Sequence, residues 1–593
     1  MPINTYQHLL AQCTAQSEQL YKRLQLVSFI RLVSFVGSTF FGYYYFSANQ
    51  APLLFIALAL LFIFFYMIRL YDRCKSKYQT AKAHIQINQT EIDILNGTPS
   101  TYEDGSEYID SHHPYSYDLD IFGKGSLFPF LNRTTTTFGK KALAETLLQP
   151  DSSQIEARQS AIRELYTITA FRQSLQAAGM LHSAEEKKIT KLTSWLNAPP
   201  TFIRHRIYYF LLLFPAITII STLLLIYTGN ELYQSTTGLL FVINLGITFL
   251  YGRIMMKNIS VSSDITKTLN QFSDQLVLLE KQSFTSPLLK ELQARVQNEG
   301  NPASQSIKKL ASCFNYLDYL FNIFISPLLN GFFLFHIHIL FLLDRWKTTN
   351  GKNSMNWLHV LGEIESVSSF ATIYFNNPDF TFPTVSRTED ISVESMGHPL
   401  IRKEKRINNN ISFLNRKFVV LTGSNMSGKS TFLRTLGINL VLARAGSAVC
   451  ALHFHFFPYD IYVSMRITDS LQDSESFFYA ELKRLQTIIH HIRAGNKTFI
   501  LLDEILRGTN SNDKHSGTVG LIHKLVSQNA CGIIATHDLS VAELSQKYPD
   551  YINNNCFESQ IINNELLFDY KIKEGVCTKL SASFLMKKMG IIE

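Results

Sequence analysis

The stretch Gly423-Ser424-Asn425-Met426-Ser427-Gly428-Lys429-Ser430-Thr431 restricts the fold of this chain more than any other. It fits G-x-x-x-x-G-K-[ST], a pattern that has meaning only between a strand and a helix. Before it, Lys417-Phe-Val-Val-Leu-Thr422 is apolar and β-branched and reads as a buried strand. After it, Phe432, Leu433, Leu436, Leu440 and Val441 recur at helical spacing up to Arg444. Glycines there let backbone N–H groups converge on phosphate oxygens, and the helix N-terminus adds partial positive charge. Lys429 then reaches the β- and γ-phosphates of a nucleotide, and the Ser430 hydroxyl is placed to ligate Mg²⁺. The spacing predicts a nucleotide-binding α/β unit.

The rest of the chain is less like a soluble protein. Charged residues make up 17% of the 593 residues, against about 25% in an average soluble domain. Apolar segments account for the deficit. Residues 1–24 read as a polar amphipathic helix without the marks of a secretory signal. Val27–Phe46 and Ala51–Leu70 follow, each of a length suited to crossing a bilayer. Arg31 lies near enough to one end to snorkel. Lys22 and Arg23 precede the pair, Arg69, Arg73, Lys75 and Lys77 follow it, and the connector Ser47–Gln50 has no basic residue. This is the charge pattern of a hairpin with both ends in the cytoplasm.

Ile207–Thr228 and Gly238–Tyr251 predict a second hairpin of the same orientation, with a shorter second arm, flanked by Arg204, Arg206, Arg253 and Lys257. Tyr316–Leu343 is nearly as apolar but is interrupted by Asn322, Pro327, Asn330, His336 and His338. A single crossing there would put the nucleotide unit outside, so a buried or interfacial helix is expected. His336 and His338 are two apart, and on a helix that spacing favours packing over a metal pair.

These features divide the chain into a cytoplasmic N-terminal helix (1–24), a transmembrane hairpin (25–75), a helical block (76–200), a second hairpin (201–257), a second helical block (258–384) and an α/β domain (385–593). Thr101–Asp120 reads as loop, Leu127–Pro150 and Ile155–Ala178 as helical, and Trp357–Phe375 as a further helix. The seven cysteines are scattered without a C-x-x-C pair and read as reduced thiols. A net charge of +8 permits nucleic acid or anionic lipid as partner and selects neither.

Two further strand ends carry chemistry. Thr498-Phe-Ile-Leu-Leu-Asp503-Glu504 is an apolar strand ending in two carboxylates. Asp503 is placed to hold Mg²⁺ and Glu504 to act as general base on the attacking water. Gly532-Ile-Ile-Ala-Thr-His537 ends in a histidine suited to sensing the γ-phosphate. Ahead of both, Asp469–Glu481 opens a helix whose Ser476 offers a hydroxyl at its N-terminus.

The run Leu421–Arg434, with its Asn425-Met426 pair, resembles the nucleotide loop of the MutS DNA mismatch-repair family. Ala445–Ala451, Asp503–Asn510, Ala535-Thr-His537 and Gly397-His-Pro399 resemble that family's neighbouring motifs, and Leu127–Pro150 and Leu361–Ala371 resemble parts of its helical core and lever. The resemblance implies an ABC-type ATPase using ATP and Mg²⁺, working as a homodimer with composite sites. It implies that Ser476, Phe478 and Glu481 form a trans signature on the partner's nucleotide, and that Glu574–Gly590 supports dimerisation. The sequence departs from the family at Leu506 and Ser474, where glycine is usual, and at Phe477, where threonine is. Nothing before residue 120 resembles the mismatch-reading domain, and no Phe-x-Glu wedge occurs there. The expectation is a multidomain protein: helical N-terminal and central regions with transmembrane helices, and a C-terminal P-loop ATPase domain in the cytoplasm. Its function is then an ATP-dependent dimeric switch on DNA. The alternative is a membrane-tethered ATPase with a non-DNA partner; a transporter is disfavoured, since no Leu-Ser-Gly-Gly-Gln signature is present.

Overall fold

Two antiparallel helices, Pro2–Ala48 and Ala51–Leu95, open the chain in the computed structural model, which describes residues 2–48, 50–181, 186–200, 205–298, 301–424, 426–466, 477–506, 509–562, 565–577 and 591. Pro52 at the first turn starts the second helix, where a missing N–H costs nothing. The polar stem and the apolar stretch are one uninterrupted helix in each arm, so residues 1–24 are not a separate element. The apolar halves leave Phe29, Phe35, Phe55 and Phe62 exposed, while Ile87, Asn88 and Glu91 of the stem are buried.

The stem is joined to the helical body by a buried polar cluster. Glu91 and Arg133 form an ion pair and are 1% and 5% exposed. Asn376 donates to Glu91 Oε2 at 2.7 Å, and the Tyr6 hydroxyl donates to Asn376 Oδ1 at 2.8 Å. Arg172 donates to Thr372 Oγ1 at 2.6 Å alongside. Burial demands this mutual satisfaction, because an unpaired charge there would cost several kcal/mol.

The body is built on the 42-residue helix Phe335–Asn376, which takes in the segment read from sequence as a separate helix at Trp357–Phe375. The expected helix Leu127–Pro150 is two, Leu127–Leu131 and Thr137–Leu148, and Ile155–Ala178 is broken at Ile168. At the first break Thr135 and Thr136 turn their N–H and hydroxyl groups onto the Glu365 carboxylate, so the chain leaves the helix at no loss of hydrogen bonds. Helix Thr137–Leu148 crosses the long helix at Gly362, where a Cβ would stand 2.5 Å from the Phe138 carbonyl oxygen. Gly362→Ala is therefore expected to destabilise the protein by about 1–3 kcal/mol. A thermal midpoint equal to wild type would show that the crossing can open freely.

Among the described residues, four helices are long and apolar enough to cross a membrane: the two N-terminal ones, Ile207–Thr228 and Glu231–Leu250. The last begins well before the Gly238 expected from sequence. Asn230 accepts from Leu232 N at 2.9 Å and so caps a helix whose first turns are polar rather than apolar. The third apolar region is a short helix, Ile325–Phe333, bent by 76° from the start of the long helix.

The C-terminal region is α/β. Its main sheet runs Glu565–Glu574, Ile552–Ile562, Phe418–Gly423, Cys531–Thr536, Thr498–Asp503, Asp460–Ser464, parallel except for the first strand. Val419 and Leu421 face one apolar cluster, Phe418 and Val420 the other, as the two-residue period of a strand buried on both faces requires. The first cluster continues without a break into the helical body. Asp118, fully buried in the loop before Leu127, accepts from Met465 N and Arg466 N at 2.7 Å and pairs with Arg484. The loop expected at Thr101–Asp120 is thus a docked connector between body and sheet.

Candidate nucleotide site

Register brings the chemistry together. Thr422 lies opposite Thr536, and Ala535 opposite Asp503, so the three central strands end at one level. Ligands of parallel α/β sheets sit at that carboxyl edge. The loop after Phe418–Gly423 needs its glycines. Gly423 has φ +154°, and a Cβ there would meet Ser427 Oγ at 2.8 Å and Phe557 O at 2.9 Å. Gly428 has φ +104° under the Tyr570 ring.

Lys429 opens the helix Lys429–Arg444, and its Nζ donates to Gly423 O at 2.6 Å and Ser424 O at 3.0 Å. The ammonium thus lies over the loop that phosphates would fill. Ser430 Oγ donates to Asp503 Oδ2 at 2.5 Å. The Ser424 and Ser427 hydroxyls are buried without a hydrogen-bond partner among the described residues, as expected of a loop shaped for an anion. A hydroxyl and a carboxylate side by side are the hard oxygen donors that Mg²⁺ takes, so the residues present fit the ion. Thr431 lines the adjoining cavity, and Met426, with φ +72°, is exposed. Asn425 lies outside the described residues.

Glu504 follows Asp503 with φ +48°, a costly conformation for a residue with a Cβ. Its N–H donates to Ala535 O at 2.9 Å, and its Oε1 stands 3.4 Å from His537 Nδ1. His537 is half exposed, while Glu504 is largely covered. The carboxylate and the imidazole therefore face each other across the end of the sheet, beside the phosphate loop.

Of the expected trans trio, Phe478 and Glu481 share the helix Phe477–Arg493. Ser476 lies outside the described residues, as do 578–590 of the expected dimerisation segment. Phe478 packs against the second apolar cluster. Glu481 is 3% exposed, and its Oε1 accepts from Leu506 N at 2.8 Å within the same chain. That bond holds the turn after Glu504, where Leu506 also has positive φ, +59°. Glu481→Ala is expected to leave the KM for ATP near wild type and lower kcat by up to about 10²-fold, the effect of a small misplacement of reacting groups. Glu481→Gln keeps an acceptor and is expected to restore most of the rate. Equal rates in all three proteins would remove Glu481 from the site.

One wall was not visible in the motifs. A cavity of about 290 Å³ opens beside Gly428 and Thr431, lined by His398, Ile407, Phe557 and Tyr570. Burial, and then Arg434 and Arg406, push His398 down to about 4, so its imidazole is neutral at physiological pH. The cavity's size and mixed lining, with Lys405, Arg406 and Asn409 beside the apolar side chains, suit a base and sugar. Only His398 had a sequence signal, in Gly397-His-Pro399.

A family model described as MutS domain III matches residues 116–494, and one described as MutS domain V matches residues 419–589. The chain is 30% identical over 237 residues to the DNA mismatch repair protein MutS of Thermotoga maritima, covering 39% of this chain and 29% of that protein. It is 31% identical over 200 residues to MutS protein homolog 4 of Homo sapiens, covering 32% and 21%. A third relative, the DNA mismatch repair protein MutS of Ehrlichia chaffeensis, is 30% identical over 236 residues, covering 39% and 29%. The chain thus matches less than a third of the length of each of these relatives.

Proposed function

Because the chain belongs to the MutS family, we propose that it is a membrane-anchored ATPase whose ATP-dependent homodimer acts as a switch on DNA. The observation that carries this reading is the convergence of Lys429, Ser430, Asp503, Glu504 and His537 at one sheet edge. Lys429 holds the β- and γ-phosphates once nucleotide displaces its contacts to Gly423 and Ser424. Ser430 and Asp503 hold Mg²⁺, which supplies charge neutralisation on the phosphate oxygens when bound. Glu504 accepts the proton of the attacking water, and His537 orients that carboxylate and reads the γ-phosphate. Ser476 and Phe478 complete the partner's site. The two apolar hairpins hold the protein in the membrane, with the ATPase domain on the cytoplasmic side.

The DNA role rests on the relatives and is tested directly. The ATPase rate of the detergent-solubilised protein is measured with mismatched, branched and homoduplex DNA at two salt concentrations. Stimulation that fades as salt rises is expected, because phosphate contacts release counterions. A rate indifferent to all three DNAs, with no salt-sensitive binding, would leave an ATPase that drives something else.

A further inference from the structure

We infer that residues 318–334 form a re-entrant element, entering and leaving the same leaflet beside the second hairpin and contacting lipid acyl chains. This inference rests on the membrane reading above and extends it to a segment whose sequence is ambiguous.

The flanking helices show that the chain returns to the side it left. Helix Ala303–Leu317 runs antiparallel to the start of the long helix, with Trp346 Nε1 donating to Ser306 O at 2.7 Å. Tyr316 and Phe335, on either side of the excursion, have ring centroids 6.1 Å apart. Lys308 and Lys309 precede it and Arg345 and Lys347 follow, while 319–343 contains no Asp, Glu, Lys or Arg. Basic residues at both flanks are the signature of ends on one side.

The excursion is seated against the second hairpin at depth. Asn244, fully buried in Glu231–Leu250, donates to Thr218 Oγ1 at 3.1 Å and to Gly331 O at 2.8 Å. Gly331 has no room for a Cβ because the Phe241 ring lies against it. Tyr208 and Tyr209 stand at the start of the hairpin's first arm, Tyr251 closes its second, and Tyr316 and Tyr319 stand where the excursion begins, positions that aromatic residues take at a membrane interface. Tyr208 is tied to the long helix there by its hydroxyl, 2.9 Å from His338 Nδ1. At ~1.5 Å per residue, Thr218 lies about 15 Å from Tyr208 and Asn244 about 10 Å from Tyr251. Half of a hydrocarbon core is about 15 Å, so Gly331, bonded to Asn244, lies within one leaflet.

The backbone at the bend is satisfied within the protein, as non-helical chain at that depth must be. Asn330 Oδ1 accepts from His336 N at 3.1 Å where Leu334 takes positive φ, +48°. The outer face is apolar: Phe321, Ile323, Phe324 and Leu328 are 57–85% exposed. The hairpin likewise exposes Ile217, Leu224 and Leu239, and acyl chains are the solvent that suits both.

The test uses the full-length protein in a Cys13→Ser background, reconstituted into phosphatidylcholine–phosphatidylglycerol vesicles with acyl chains brominated at a chosen carbon. A bimane label is placed on Ile323→Cys, on Leu328→Cys, or on Leu223→Cys in the hairpin. Bromolipid is expected to quench all three, and a membrane-impermeant maleimide is expected to reach Ser312→Cys and Thr348→Cys from the same face. Labelling from opposite faces would overturn the inference in favour of a span. Quenching at 223 without quenching at 323 and 328 would overturn it in favour of a water- or protein-facing segment. No quenching at 223 either would overturn the membrane reading itself.

Discussion

Glu504→Gln is expected to lower kcat for ATP hydrolysis by about 10²–10⁴-fold, the range lost with a positioned general base. Nucleotide affinity is expected to stay near wild type, because the proposed site gives the phosphate contacts to Lys429, Ser430 and the loop backbone rather than to Glu504. The substitution keeps the shape and one acceptor, so the strained turn at Glu504 and its N–H bond to Ala535 O remain. Lys429→Ala is expected to differ in kind, losing binding and hydrolysis together. Equilibrium binding of a fluorescent ATP analogue, beside steady-state rates, separates the two. A Glu504→Gln protein with wild-type kcat would take Glu504 out of the chemistry and leave only the phosphate loop standing.

Arg133→Ala is expected to cost about 3–5 kcal/mol, the loss that follows when one member of a buried pair is removed. The cost is large because Glu91 then stays buried, with Asn376 as its remaining partner. The Arg133 guanidinium also lies 4.7 Å from the centroid of the Tyr102 ring, and that contact goes with it. Replacing both charges, as Arg133→Met with Glu91→Leu, is expected to recover much of the loss, since apolar substitutes often equal a buried pair. Thermal unfolding in detergent reads both outcomes. An Arg133→Ala midpoint within a degree of wild type would mean that the N-terminal stem is not seated on the body as described.

The parts of the fold legible in the sequence are those specified locally. Strand, glycine loop and helix follow one another within 417–444, and Asp503 and His537 declare themselves by ending apolar strands. The bond from Leu506 N to Glu481 is not legible in the sequence because it joins residues 25 apart: a carboxylate near a helix start looks like a surface group until Leu506 N is found against it. Asp118 was invisible for the same reason, since nothing near it in sequence announces Met465, Arg466 or Arg484. The second arm of the later hairpin was started too late because Gln234, Ser235, Thr236 and Thr237 lower its hydropathy, whereas Ser221 and Thr236 bond to each other across the hairpin at 2.8 Å. The long helix was divided at its polar stretch from Asp344 to Asn356, where composition changes but the backbone does not.

That undivided helix has a mechanical consequence. Its 42 residues make a rod of about 63 Å at 1.5 Å per residue. One end carries the bend that seats the second hairpin, and the other, at Asn376, carries the joint to the first. Thr384, the first strand residue of the α/β region, follows shortly after. A tilt of about 10° at the nucleotide end would sweep the far end through about 11 Å for a rod of that length. Both apolar hairpins are joined to the same rod, so a tilt imposed at its nucleotide end would be transmitted to the other.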